Sequence, residues 1–592
     1  MTVDAYDSDG SGGAFIEEPP RRADRGPDGG RIWRWFTSLL DAKALTLILI
    51  VIVVGYLAIT PLAYLLYGTF IDDGGFSLDS FRRAYEFSGI WAMVFNSLIY
   101  AVGSALLAFV IGTSLAYVAI RTNVRFKSLL VATALVPLII PGLLYAIAWI
   151  MLSSERIGFI NQISTVIIDR PIFNIYSLGG MIWVEGTHIA PLVFLFMAAA
   201  FRNMDPSLEE SALVCGASRW TMLRRVTIPL VRPAFTGAIL LVAVKAIEGF
   251  EIPALIGLPT RIYVFTSRIY FEVQNFDFGA AGALSVNLML ISIIGVFGLA
   301  KLRGNARDYA TVTGKGFRPQ TIDLGRAKGP IAAVVLFWFI LTAVLPFLVM
   351  VYTSFLPYYQ KFSFAAFGKF SWANYADLFD NRIFLQSVKN SLILSFGSAT
   401  VIMVIVGIAA WLVVRGRMRG RGIVDQLTFL PMVVPGLVMG VALSFVYLRN
   451  PLPWQIYGTI WILMIAYSTR FMPYGMRYAV PSLTQISPEL EESAHVAGAT
   501  WWQINRRILI PLMIPGLLAG WIYIVITSIR ELSSSLLLYS PSNEVLAILI
   551  WIYNDKGELT TVSAIGVLLV LTLIVIVTIA YKLGGRIGLQ TD

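Results

Sequence analysis

Within otherwise apolar stretches the chain carries a small set of ionisable residues. Glu185 and His188 stand three apart on one stretch, and Lys245, Glu248 and Glu251 repeat the three-residue step. Arg470 and Arg477, then Arg530 and Glu531, follow later in the chain. A charged side chain at mid-membrane costs about 2.5–3.5 kcal/mol on insertion scales, so each is a functional candidate. Two chemistries are open. Glu185, His188, Glu248 and Glu251 could form a transient oxygen/nitrogen site for a hard cation. Alternatively the charges pair with one another, Glu248 with Lys245 or Arg530, as membrane-buried charges usually do. A tight resident metal site is not expected, because flux requires leaving as well as entering. Catalytic residues are not expected either. His188 and His495 are the only histidines, they lie in non-equivalent places, and no HExxH or nucleophile motif accompanies them.

The elements that must position these charges are membrane helices. The 592 residues are 57% hydrophobic and 14% charged, with a mean hydropathy of +0.74; soluble domains average roughly 25% charged. A spanning helix needs about 20 mostly apolar residues. Twelve such stretches lie near 44–68, 91–119, 128–152, 178–200, 234–256, 279–300, 330–354, 388–414, 424–448, 457–480, 512–538 and 562–582. Lipid demands that backbone polar groups be satisfied within the segment, so the expected class is an all-α integral membrane protein with twelve transmembrane helices. Barrel strands would be shorter and alternate in polarity.

Lys and Arg crowd alternate loops: Arg121, Arg125 and Lys127; Arg202, Arg219, Arg224, Arg225 and Arg232; the run from Lys301 to Lys328; and Arg415, Arg417, Arg419 and Arg421. The positive-inside rule makes that side, and both termini, cytoplasmic. The net charge of +10 is then mostly a topology signal. Its cations are scattered between spans, so no nucleic-acid partner is expected. Cys215 is the only cysteine, so an intrachain disulfide is excluded. Residues 1–43 read as a disordered cytoplasmic tail. They lack the apolar stretch and cleavage site of a secretory signal.

The second kind of chemistry is docking. EESALVCGASRWTMLRRVTIPL (209–230) returns as EESAHVAGATWWQINRRILIPL (491–512), at an offset of 282 with 13 of 22 positions identical. Each copy is a polar island between apolar spans. Each reads as helix, turn, helix. Pro206 or Pro488 opens the first helix, and Glu209 and Glu210, or Glu491 and Glu492, lie near its positive end. Ala212 or Ala494 follows, Gly216-Ala217 or Gly498-Ala499 makes the turn, and Pro229 or Pro511 enters the next span. Lipid anchoring by Arg would need positive charge alone, not the same residues at the same spacing.

The repeat reaches further. VPLIIPGLL (136–144) matches LPMVVPGLV (430–438) at an offset of 294, which leaves a 12-residue surplus in the first half, placed in the external segment 153–177. Two halves of six spans (44–300, with island 201–233, and 330–585, with island 481–515) join through a basic linker, 301–329, and 586–592 form a short tail. Six is even, so the repeats are parallel, with a pathway on the axis between them.

At the islands the chain resembles the membrane subunits of ATP-binding-cassette importers. Their signature of Glu-Ala-Ala, three residues, Gly, nine residues and Ile-x-Leu-Pro is similar to Glu210-Ser211-Ala212, Gly216 and Val226-Thr227-Ile228-Pro229, and to Glu492-Ser493-Ala494, Gly498 and Ile508-Leu509-Ile510-Pro511. Both copies carry Ser at the first Ala and Ile at the Leu. The resemblance implies the type I importer permease fold, with each island a coupling helix seated in one of two ATPase subunits, and Glu210 and Glu492 meeting basic groups there. It also implies an outer periplasmic or lipid-anchored binding protein, a bacterial inner membrane, and ATP bound only by the partner. Gly314-Lys315-Gly316 lacks the rest of a phosphate-binding loop. The fused halves, with WVEGTHIAPLVFLFMAAAFRNMDPSLEESA (183–212), EGFEIPALIG (248–257) and RELSSSLLL (530–538), resemble ferric-iron permeases. Permeases for phosphonates, thiamine, polyamines and sulfate share much of this pattern. A proton-coupled secondary transporter using the buried charges is the competing class, but it has no use for two matched docking hairpins.

Overall fold

The computed structural model describes residues 42–72, 75–155, 158–302, 321–416, 420–448 and 455–586. Most of the N-terminal tail, the linker from 303 to 320 with Gly314-Lys315-Gly316, Arg417, Arg419 and the last six residues lie outside them. Residues up to Leu49 group separately from 50–592, and the second of these units holds both repeats.

Among the described residues, nine helices are long and apolar enough to cross a membrane, and two further spans are helix pairs bent at a short break. The twelfth is Ile460–Thr484, which Arg470 and Arg477 make more polar. It stands 282 residues after Leu178–Arg202, and the two helices begin on matching caps: Ser177 accepts from the Gly180 N–H and Thr459 from the Trp461 N–H. The described residues are helical or irregular apart from a hairpin of two-residue strands, Ile71–Asp72 with Gly75–Phe76, and a single bridge between Thr122 and Ile322. The second span (Ile90–Arg121) packs along Leu178–Arg202, and the eighth (Arg382–Arg415) packs along Ile460–Thr484 in the same way.

The expected spans 128–152 and 424–448 are corrected. Each is two helices at a steep angle: Lys127–Leu138 and Gly142–Ser153 at 101°, Arg421–Val433 and Gly436–Leu448 at 108°. The Pro-Gly steps 141–142 and 435–436 cause the breaks, since proline lacks the donor and excludes the helical conformation before it. The fifth and eleventh spans also stop earlier than expected, at Glu248 and Ile529. The chain is non-helical at Gly249–Phe250 and around Glu531–Leu532, repeat-equivalent positions. The seventh span starts at Gly325 rather than 330. Irregular backbone at membrane depth is tolerated where protein buries it or a cavity faces it.

The second pieces of the broken spans cross between halves. Phe445 of Gly436–Leu448 lies against Gly68 and Gly282, where an added Cβ would come within 2.9 and 3.2 Å of its ring. Leu144 of Gly142–Ser153 sits likewise against Gly566 of the last span (Leu559–Arg586), with 2.9 Å left for a Cβ. The glycines set this close approach, and the halves interlock through it.

The surplus of the first half forms a helix, Phe159–Ile168, between Ser153 and Ser177. Asn161 fastens it, donating to the Ser153 and Phe173 carbonyls and accepting from the Ile172 and Phe173 N–H groups.

Candidate functional site

The two islands fold alike. Pro206–Val214 begins on Asp205, whose carboxylate accepts from the Ser207 N–H; Pro488–Val496 begins on Ser487, whose hydroxyl accepts from the Glu489 N–H. Both helices end at a glycine with φ of +83° (Gly216, Gly498), a conformation in which Cβ is disfavoured. Ser218 and Thr500 cap the short turns that follow. A π turn, Leu223–Thr227 or Asn505–Leu509, then leads into the next span. Val214 and Val496 at the helix ends are 88% and 90% exposed. Glu210, Glu492, Gly216 and Gly498 are exposed as well, and Ala212, Ala217, Ala494 and Ala499 are half-buried.

Glu209 and Glu491, expected among the docking residues, turn inward. Glu209 is buried, paired with Arg121 at the end of the second span, and takes a 2.5 Å hydrogen bond from Thr227 Oγ1. Glu491 pairs with Arg415 at 2.8 Å, at the end of the eighth span. Arg121 and Arg415 are 294 residues apart, so this is one clamp built twice. The physical reason is helix phase. Neighbouring residues lie about 100° apart around a helix, so Glu209 faces the protein when Glu210 faces solvent. Two adjacent acids in a motif look alike; only the packed neighbour tells them apart.

The first island also holds the end of the linker. Ile322 pairs with Thr122, Asn123 Nδ2 donates to Asp323 Oδ1 at 2.6 Å, and Arg219 donates to the Asp323 carbonyl. The Asn123 amide, then Lys328, holds the Asp323 carboxyl well below the usual carboxylate range. In the second copy Trp501 replaces Arg219, so the strap belongs to the first half. Replacing Asp323 with Ala should free it and raise the rate of proteolysis near 321–328; an unchanged digestion pattern would show that the backbone pairing alone suffices.

The membrane charges gather in a cavity of about 230 Å³ between the halves, lined among others by Glu185, His188, Lys245, Glu248, Glu251, Arg470, Arg530 and Glu531. Arg477 is outside it and contacts Met432. The repeat supplies facing positions with different chemistry: Glu185 matches Tyr467, His188 matches Arg470, Glu248 matches Arg530, and Glu251 matches Ser533. At these four positions the first half brings three carboxylates and the second two guanidiniums, while Lys245 and Glu531 add the opposite charge to each half. Lys245 sits 3.2 Å from Glu248, and Arg470 pairs with Glu531. Tyr100 donates to Glu185 at 3.1 Å, and His188 Nε2 lies 3.2 Å from the Ile140 carbonyl. Pairing therefore accounts for Glu248 through Lys245. No group of three His, Cys, Asp or Glu at metal-binding spacing occurs among the described residues. Gly142 and Gly249, at the breaks, place backbone in the cavity wall. Having no side chain, they do not stand out as lining residues; the Pro-Gly repeat is the signal for Gly142 in the sequence, and Gly249 has none.

Residues 108–302 and 403–586, well over half of the chain, match the family described as binding-protein-dependent transport system inner membrane component. The chain belongs to that family. It is the multi-pass permease subunit of an ATP-binding-cassette importer, with both family units fused in one polypeptide. Similar proteins include the ferric transport system permease FbpB of Actinobacillus pleuropneumoniae, 24% identical over 90% of this permease and 77% of the relative. A second is the Fe(3+)-transport system permease FbpB 2 of Haemophilus influenzae, 26% identical over 80% and 87%. The spermidine/putrescine permease PotC of Escherichia coli is 28% identical over 34% of this permease and 76% of its own length.

Proposed function

We propose that this permease carries ferric iron, received from an outer binding protein, across the bacterial inner membrane. Two copies of a separate ATPase drive it, each seated on one island, with the islands and both termini cytoplasmic. ATP is bound by those partners and not by this chain. The reading rests most on the likeness to ferric transport permeases over 80–90% of this chain, and the charged cavity suits it: carboxylates favour a hard cation, while the existing ion pairs keep the site weak enough to release it. In this reading ATP closes the ATPase dimer, Gly216 and Gly498 transmit the movement, and the halves rock about the cavity.

Cys215, exposed at the end of the first docking helix, gives a direct test of seating. Maleimide labelling of Cys215 should slow strongly when the ATPase binds; equal rates with and without it would remove the docking assignment. Cargo is tested in proteoliposomes holding permease and ATPase, with loaded binding protein outside. ATP-dependent uptake of ferric iron is expected, and uptake of spermidine but not iron would favour the polyamine reading that the PotC likeness supports. Replacing His188 with Ala should lower iron uptake. A native uptake profile would instead assign His188 to its bond with the Ile140 carbonyl.

A further inference from the structure

The break in the third span is held by three side chains of the charged cavity. Arg530, from the other half, donates to the Leu138 carbonyl, where the first helical piece ends. His188 Nε2 reaches the Ile140 carbonyl at 3.2 Å. The Glu251 carboxylate lies against Gly142, the first residue of the second piece, Gly142–Ser153. Each charge has the sign that its helix end favours: a cation at unsatisfied carbonyls, an anion at free N–H groups. Gly142 makes room for this, since an added Cβ would strike the Glu251 carboxylate and lie 3.3 Å from His188 Cε1. The second half has another chemistry at the equivalent positions: Glu248 for Arg530, Arg470 for His188, Ser533 for Glu251. Among the described residues, no hydrogen bond joins those three to the break at Met432–Leu437. In the second half Arg470 packs against Gly436 instead, so the two breaks are faced by different chemistry.

We infer that Glu251 is the latch of a gate formed by the break at Leu138–Leu143. A cation in the cavity draws the carboxylate away from Gly142 and the start of the second piece, and the two helical pieces are then free to change their angle. The second piece packs through Leu144 on Gly566, so its movement reaches the opposite half. This rests on the cavity being the cation pathway, and the test separates the two ideas.

The complex of permease and ATPase is placed in proteoliposomes, with Cys215→Ser and a reporter, Ile139→Cys, at the break. Its maleimide labelling rate is read at rest, in trapped ATP, and after ferric iron is delivered by the binding protein. In the otherwise native protein, ATP and iron should each raise the rate. Glu251→Gln should raise the resting rate about fivefold, because a neutral amide is held less strongly at a helix N-terminus than a carboxylate. Gly142→Ala should act in the same direction by displacing the carboxylate, and Ser533→Ala should not. ATPase co-purification reports that each variant is assembled. Native resting rates in both Glu251→Gln and Gly142→Ala would overturn the latch. A reporter that ignores iron, while ATP and both variants still open it, keeps the latch and removes iron as its trigger.

Discussion

Replacing Gly216 or Gly498 with Val should cut ATP-driven uptake about 5- to 150-fold while leaving the permease inserted. Both glycines sit at φ of +83°, and holding a residue with Cβ in that region costs roughly 1–3 kcal/mol, more for a β-branched one. That range converts to the stated factor. A Cβ built at either site meets nothing within 4 Å, so the cost is conformational and not a clash. Relief comes only by reshaping the turn, which displaces the docking helix from its ATPase. The control is Asn, which tolerates the left-handed region and should retain most of the uptake. Hydrolysis measured beside uptake should show ATP consumed without transport. Val variants that move cargo at native rates would remove the rigid turn from the coupling mechanism.

The second large effect is on stability. Arg121→Ala or Glu209→Ala should destabilise the first half by about 3–5 kcal/mol, the usual result of leaving one member of a buried ion pair alone. The Arg121 side chain is 1% exposed and that of Glu209 6%, and Arg121 Nε and Nη1 have no hydrogen-bond partner. The guanidinium is thus only partly compensated even in the native protein. For that reason the double replacement Arg121→Met with Glu209→Leu should recover most of the loss, since apolar substitution of a whole buried pair is often neutral. The equivalent Arg415→Ala should cost less, because that pair keeps 15% and 13% exposure. Thermal melting of the detergent-solubilised permease, scored by monodisperse protein remaining, orders the four variants. Equal losses in both halves would contradict the asymmetry, and a double variant as weak as the singles would contradict its cause.

In the proposed docking, the outward and inward acids of one motif have separate tasks. Glu210 and Glu492 are free to meet a partner, while Glu209 and Glu491 fix the island to the ends of the second and eighth spans. The motif spacing marks both pairs equally. What distinguishes them is Arg121, 88 residues away, and no local pattern contains that.

Much was decided by the sequence alone. Long apolar runs can cross lipid only as helices, so composition and length gave the class and the twelve segments, and the internal repeat gave their division into two halves. The copied islands motivate the proposed docking role, because a polar segment repeated at 13 of 22 positions between apolar spans points to something outside the bilayer. Tertiary structure alone decided where the helices break, which carboxylates face inward, and how the two halves interlock. Window hydropathy reads 128–152 and 424–448 as single spans because Pro and Gly hardly lower an average. A break survives in the membrane only when distant groups satisfy the backbone it frees. At the first break those groups include Arg530, from the other half, and His188, from another span, and folding brings them together.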